Sequence, residues 1–197
     1  MTGMLRVAVL ALLLASSGGA RLVFAQDQRS PYAGEDRREI KALSPGEVAQ
    51  LLDGAGMGLA RAAELNGVPG PRHVLDMADQ LELTDAQRAE IERIEDRMHE
   101  AAVRLGREIL ELEETLDRLF AVGPADPSEV ERLAGRIGQR SGLLRAVHLL
   151  AHLEAAAVLR PAQIRRYGVL RGYGDSADPR HEPGHDMGEH EPQHRPR

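Results

Sequence analysis

The feature that most constrains this chain is a long helical pattern that opens at Leu83-Thr84-Asp85-Ala86-Gln87. Thr84 suits a helix N-cap, and Gln87 stands three residues on, where a capping box places Glu or Gln. Beyond it, Ile91, Ile94, Met98, Ala101, Leu105, Ile109, Leu112, Leu116 and Leu119 recur at steps of three and four. They form one apolar stripe with a single glycine, Gly106, and no proline before Pro124. The pattern predicts a helix over Asp85 to Ala121, roughly 55 Å long at 1.5 Å per residue. A rod of that length in so short a chain needs a second helix alongside it.

Asp126-Pro127-Ser128-Glu129 supplies that second start: an N-cap, a proline at the first helical position, then an acidic first turn. From Pro127 to about Leu159 no further proline intervenes, and Val130, Leu133, Ile137, Leu144, Val147 and Ala151 share a face. Only Val122 to Ala125 separate the two rods, so they are expected to turn back antiparallel.

Shorter elements flank the hairpin. Ser44-Pro45-Gly46-Glu47 predicts a short helix carrying Val48, Leu51 and Leu52. Gly54, Gly56 and Gly58 interrupt it; Leu59 stands where a dinucleotide fingerprint needs its last glycine, so a kink or close packing is expected instead. Leu59 to Leu65 reads as helix capped by Asn66-Gly67, and Pro69-Gly70-Pro71 as a turn. A further helix is expected over Arg72 to Leu81 and a last one from Pro161 through Leu170, with no strand anywhere. The expected fold is all-α: a long antiparallel helical hairpin with short flanking helices.

The ends differ in kind. Met1 to Arg6 is basic, Val7 to Ala15 is apolar, and Val23-Phe24-Ala25 fits the small-residue rule for cleavage, with Ala20 as the lesser option. Residues 1–25 therefore read as a secretory signal peptide. Ser16 to Gly19 and Arg21 cut the apolar run short of a span, so no stable membrane insertion is expected after cleavage. The mature protein is expected in the periplasm. Residues 26–43 read as a polar disordered linker, 44–174 as the helical domain, and 175–197 as a disordered His-rich tail.

Composition narrows the function. Aromatic residues are 3% of the chain, with no Trp, which favours elongated helix packing over a thick globule. There is no Cys, so neither disulfides nor thiolate chemistry enter. The formal charge is −6, and loss of Arg6 and Arg21 with the signal peptide takes it to about −8, which argues against a nucleic-acid partner. No serine nucleophile elbow, phosphate loop or buried carboxylate pair is evident. His181-Glu182-Pro183-Gly184-His185 satisfies the zinc-protease pattern, but Pro183-Gly184 breaks the helix that this chemistry requires. The expectation is a protein that is not an enzyme and has no catalytic residue.

Metal chemistry is the more specific lead. His148 and His152 stand four apart on the second rod, close enough for two imidazoles to meet one divalent ion. A helical wheel puts His148 at the margin of the apolar stripe and His152 further round, which equally suits boundary histidines at a helix contact. Further ligands from Glu154, His99 or a partner subunit are open. In the tail, His181, His185, His190 and His194 alternate with carboxylates, a donor set for Zn²⁺, Ni²⁺ or Cu²⁺. No organic cofactor is expected. On the second rod, Leu143, Leu144, Val147, Leu150, Ala151, Leu153, Ala155 and Val158 cover more than half of the circumference; one partner helix buries only a stripe, so the surplus calls for another subunit, the short helices or a client.

Leu83-Thr84-x-x-Gln87 opening the first rod is echoed by Leu159-x-x-x-Gln163, with Arg160 in the Thr position. Together with the export signal and the helical order, these residues resemble the Spy/CpxP family. Ala63-Glu64-Leu65-Asn66-Gly67, the segment Leu144 to His152, and Leu170-Arg171-Gly172-Tyr173 resemble its periplasmic heavy-metal sensor branch. The resemblance implies four helices per subunit, an antiparallel homodimer forming a curved cradle, and a non-enzymatic stress role. On that basis the chain is expected to bind a divalent heavy metal and to sense or buffer it. The alternatives are an ATP-independent holdase for unfolded clients and a regulator that binds a membrane signalling protein.

Overall fold

The computed structural model describes residues 30–173. The signal-peptide segment and the tail histidines His181, His185, His190 and His194 lie outside the described residues. Among the described residues six α-helices follow in chain order: α1 (Pro45–Leu52), α2 (Arg61–Glu64), α3 (Pro71–Asp76), α4 (Asp85–Ala121), α5 (Pro127–Val158) and α6 (Pro161–Leu170). No strand occurs among the described residues, and none of their helices is long and apolar enough to cross a membrane. The described residues are all-α, with α4 and α5 forming the expected long hairpin and short helices flanking it.

Capping chemistry sets the starts of the two rods. Thr84 Oγ1 accepts from the Gln87 backbone N–H at 3.2 Å, and Gln87 Oε1 accepts from the Thr84 N–H at 3.1 Å. These reciprocal bonds satisfy donors that a helix N-terminus leaves over. Asp126 Oδ1 does the same for the Ser128 N–H at 2.8 Å, with Pro127 at the first helical position. Ser44 and Glu47 form a second complete capping box at α1.

Along the hairpin the core divides in two. Toward the end where α4 begins and α5 ends, Val74, Leu81, Ile91, Ile94, Ala151, Ala155, Leu159 and Tyr167 pack together. Further along, Leu51 of α1 joins Ala102, Leu105, Ile109 and Leu144. Gly106 explains itself here, because a Cβ at that position would run into the Leu51 carbonyl. The lone glycine of the α4 stripe is the seat of α1.

Two elements depart from expectation. The helix expected over Arg72 to Leu81 stops at Asp76, and turns carry the chain on through Ala78 and Leu81, both still buried. Apolar periodicity survives such a change because burial needs only the side chains inside, not a continuous helix. Ahead of α1, the described part of the stretch read as linker, residues 30–43, holds a 3₁₀ turn at Glu35–Arg37, and Lys41 Nζ reaches Asp117 Oδ2 at 2.9 Å. Gly54, with φ +59°, brings its backbone against Val103, in keeping with close packing rather than a nucleotide loop.

Candidate functional site

Three polar clusters lie around the α3–α6 end of the hairpin. The first joins the two motif glutamines. Gln87 Nε2 donates to Gln163 Oε1 at 3.0 Å, and Gln163 Nε2 donates back to Gln87 Oε1 at 3.1 Å. The remaining donors go to backbone: Gln87 Nε2 to the Val158 carbonyl at 2.9 Å, and Gln163 Nε2 to that of Leu81 at 3.1 Å. Each amide oxygen also takes the N-cap N–H of its own helix, Thr84 at 3.1 Å and Arg160 at 2.8 Å. All donors and acceptors of both amides are engaged. Each glutamine therefore caps its own helix and clasps the strand of chain leading into the other motif. Thr84 and Arg160 meet the clasp through their backbone N–H groups, and Leu83 and Leu159 pack in the adjoining core. Arg160 offers no oxygen to cap α6; its Nε instead donates to Gln163 Oε1 at 3.3 Å.

The second cluster centres on Glu64 of α2. Its carboxylate accepts from the Tyr167 hydroxyl at 2.7 Å, the Tyr173 hydroxyl at 2.8 Å and Arg171 Nε at 2.8 Å. Burial opposes the carboxylate charge, but the bonds from Tyr167, Tyr173 and Arg171 outweigh it and hold Glu64 below the usual carboxylate range. Burial and the bond to Glu64 push the Tyr167 hydroxyl up, so it stays a donor. The cluster ties the chain after α6 down onto α2.

The third cluster is a pocket of about 330 Å³ between α3, α4, α5 and the loop after α1. His148 and His152 both line it, joined by Glu95, Met98 and His99 of α4, Asp53, and Arg72 and His73 of α3. His152 Nδ1 lies 2.8 Å from the Val68 carbonyl. A carbonyl only accepts, so Nδ1 donates to it, and Glu64 Oε2 lies 3.9 Å from the same nitrogen. That ring rests on the bare Cα of Gly70, where a Cβ would stand 2.7 Å from Nε2. Burial, and then the neighbouring His152, push the His148 pKa down and favour its neutral imidazole. Both histidines are buried, deeper than their wheel positions imply.

Two buried side-chain atoms among the described residues lack any hydrogen-bond partner, His148 Nε2 and Glu95 Oε2. Both residues line this pocket. Orphaned buried polar atoms are costly, and their coincidence in one cavity marks a place where a ligand would repay them. Neutral imidazole and carboxylate are donors for a divalent ion. Among the described residues no three His, Asp or Glu stand ready-assembled around a common point, so side chains would have to converge on an ion. Of the two extra ligands left open, His99 lines the pocket, whereas Glu154 is paired with Arg97 at 2.9 Å.

Glu95 escaped the sequence reading. Its signal was there: it stands four residues after Ile91 and three before Met98, a carboxylate on the core face of α4.

The family model for LTXXQ motif family proteins matches residues 70–170, half of the chain and both glutamine motifs. The chain belongs to the LTXXQ motif family. This is the Spy/CpxP-like group that the motifs resemble, a group of non-enzymatic chaperone- and sensor-type proteins. No curated relative and no solved structure matches the chain.

Proposed function

We propose that this LTXXQ family member is an exported periplasmic protein that captures a divalent heavy-metal ion and senses or buffers it. The observation that carries this reading is the presence of His148 Nε2 and Glu95 Oε2 as orphaned buried atoms of one pocket, which His152 also lines. Zn²⁺, Ni²⁺ and Cu²⁺ all suit imidazole with carboxylate. The tail histidines His181, His185, His190 and His194 add a second, chain-borne donor set that collects ions without a preformed cavity. No catalytic step is assigned to any residue.

Titration of the intact protein and of a truncation after Gly174 with each ion tests this reading. Binding by the truncated form, abolished by His148→Leu, supports the pocket; binding by the intact form alone assigns capture to the tail. Affinities weaker than about 100 μM in both forms would reject metal capture altogether.

A holdase role is the second reading, and a separate feature favours it. Leu143, Leu150 and Leu153 form an exposed apolar row on α5, each more than 40% accessible. Such a row suits an antiparallel homodimer or an unfolded client. Suppression of client aggregation at stoichiometric amounts, lost on changing all three to Ser, supports the client; concentration-dependent sedimentation reports the dimer.

A further inference from the structure

The Glu95 carboxylate is not vacant on both sides. Arg72 Nε lies 3.0 Å from its Oε1, while Oε2 faces no partner. The two ends of this ion pair live in different surroundings: the Glu95 side chain is 10% exposed and that of Arg72 67%. Among the described residues Glu95 is the only acidic partner of Arg72. Pro71 and Val74 are buried, so α3 itself is anchored while the guanidinium reaches in from solvent. Long Arg side chains with exposed heads swing at little cost, and half-exposed ion pairs hold weakly.

We propose that Arg72 is the resident cation of this pocket, a swinging stopper on Glu95 that competes with a divalent ion for the carboxylate. This rests on the reading of the pocket as a metal site. A guanidinium beside Glu95 occupies one of its oxygens and repels a second cation at close range. Glu95 must exchange one positive partner for the other. When it does, the Arg72 charge is released to the surface of α3, so capture inside the pocket alters the charge presented outside. Arg72 thus sets the ion concentration at which the pocket fills and supplies an outward signal that it has filled.

The test uses the full chain with His181, His185, His190 and His194 each changed to Gln, so that only the pocket competes for ion. Co²⁺ is the probe, followed by its visible absorption. Arg72→Met, which keeps the stem but removes the charge, is expected to tighten Co²⁺ binding by at least about ten-fold. Arg72→Lys, which keeps the charge, is expected to stay near the unchanged protein. In a Glu95→Gln background the gain from Arg72→Met is expected to shrink to less than about three-fold, because the competition requires the carboxylate. Arg72→Gln is the fallback should the Met variant fold poorly. If Co²⁺ binds the unchanged protein but Arg72→Met binds it no more tightly, the stopper is wrong and the metal site stands. A gain that is undiminished in the Glu95→Gln background also overturns the stopper. If neither protein binds Co²⁺, both readings fall.

Discussion

The glutamine clasp and the histidine pocket lie at the same end of one hairpin, and both bury polar side chains between α4 and the elements packed on it. They differ in bookkeeping. Gln87 and Gln163 use every donor and acceptor, against each other and against the backbone carbonyls of Val158 and Leu81. His148 and Glu95 leave one atom each unmatched, in a cavity large enough to admit something else. A closed network specifies a fold, because removing any member strands the rest. An open one burdens the fold and makes sense only with a partner. The family signature is thus architectural, and the unmatched polar atoms sit next to it in residues outside the signature.

The largest expected effect comes from breaking the closed network. Gln163→Ala strands the Gln87 amide and the Leu81 carbonyl and is expected to cost about 3 kcal/mol in chemical denaturation. Tyr167→Phe removes a hydroxyl that donates to Glu64 and accepts from the Gly70 N–H, and should cost about 2 kcal/mol. A smaller effect is expected from pH. The folded-state pKa of Glu64 is depressed, so the stability it supplies is complete above the ordinary carboxylate range and is lost as pH falls through the depressed value. A denaturation series toward acid should show this slope, and Glu64→Gln should flatten it. The smallest expected effect lies in the open network. Glu95→Met replaces a buried, half-matched carboxylate and should leave stability within about 0.5 kcal/mol of the parent or raise it. A loss as large as that of Gln163→Ala would erase the contrast between the two clusters.

Local signals carried most of the architecture. The bounds of α4 follow from the Thr84–Gln87 box and the stripe behind it, and those of α5 from Asp126-Pro127 and the next proline, Pro161. The meeting of Gln87 with Gln163 was not legible, because a capping residue looks the same whether its amide faces water or a second amide. Glu64 gave no warning either: its partners stand more than a hundred residues away, at Tyr167, Arg171 and Tyr173. His148 and His152 were visible by spacing, but their burial depended on α2, α3 and the Pro69-Gly70-Pro71 turn closing over them. The end of α3 at Asp76 leaves no mark in the apolar pattern, because Ala78 and Leu81 keep its rhythm without the helix.

On the proposed function, the open cluster is kept for a ligand rather than for the fold. Chemical denaturation of the parent and of Glu95→Met, each with the four tail histidines changed to Gln and each with and without saturating Zn²⁺, addresses it directly. An ion bound by the folded pocket raises stability by mass action. Zn²⁺ is expected to stabilise the parent and to stabilise Glu95→Met far less, although the variant without metal is at least as stable as the parent. Equal stabilisation of both proteins, or none of either, would contradict it.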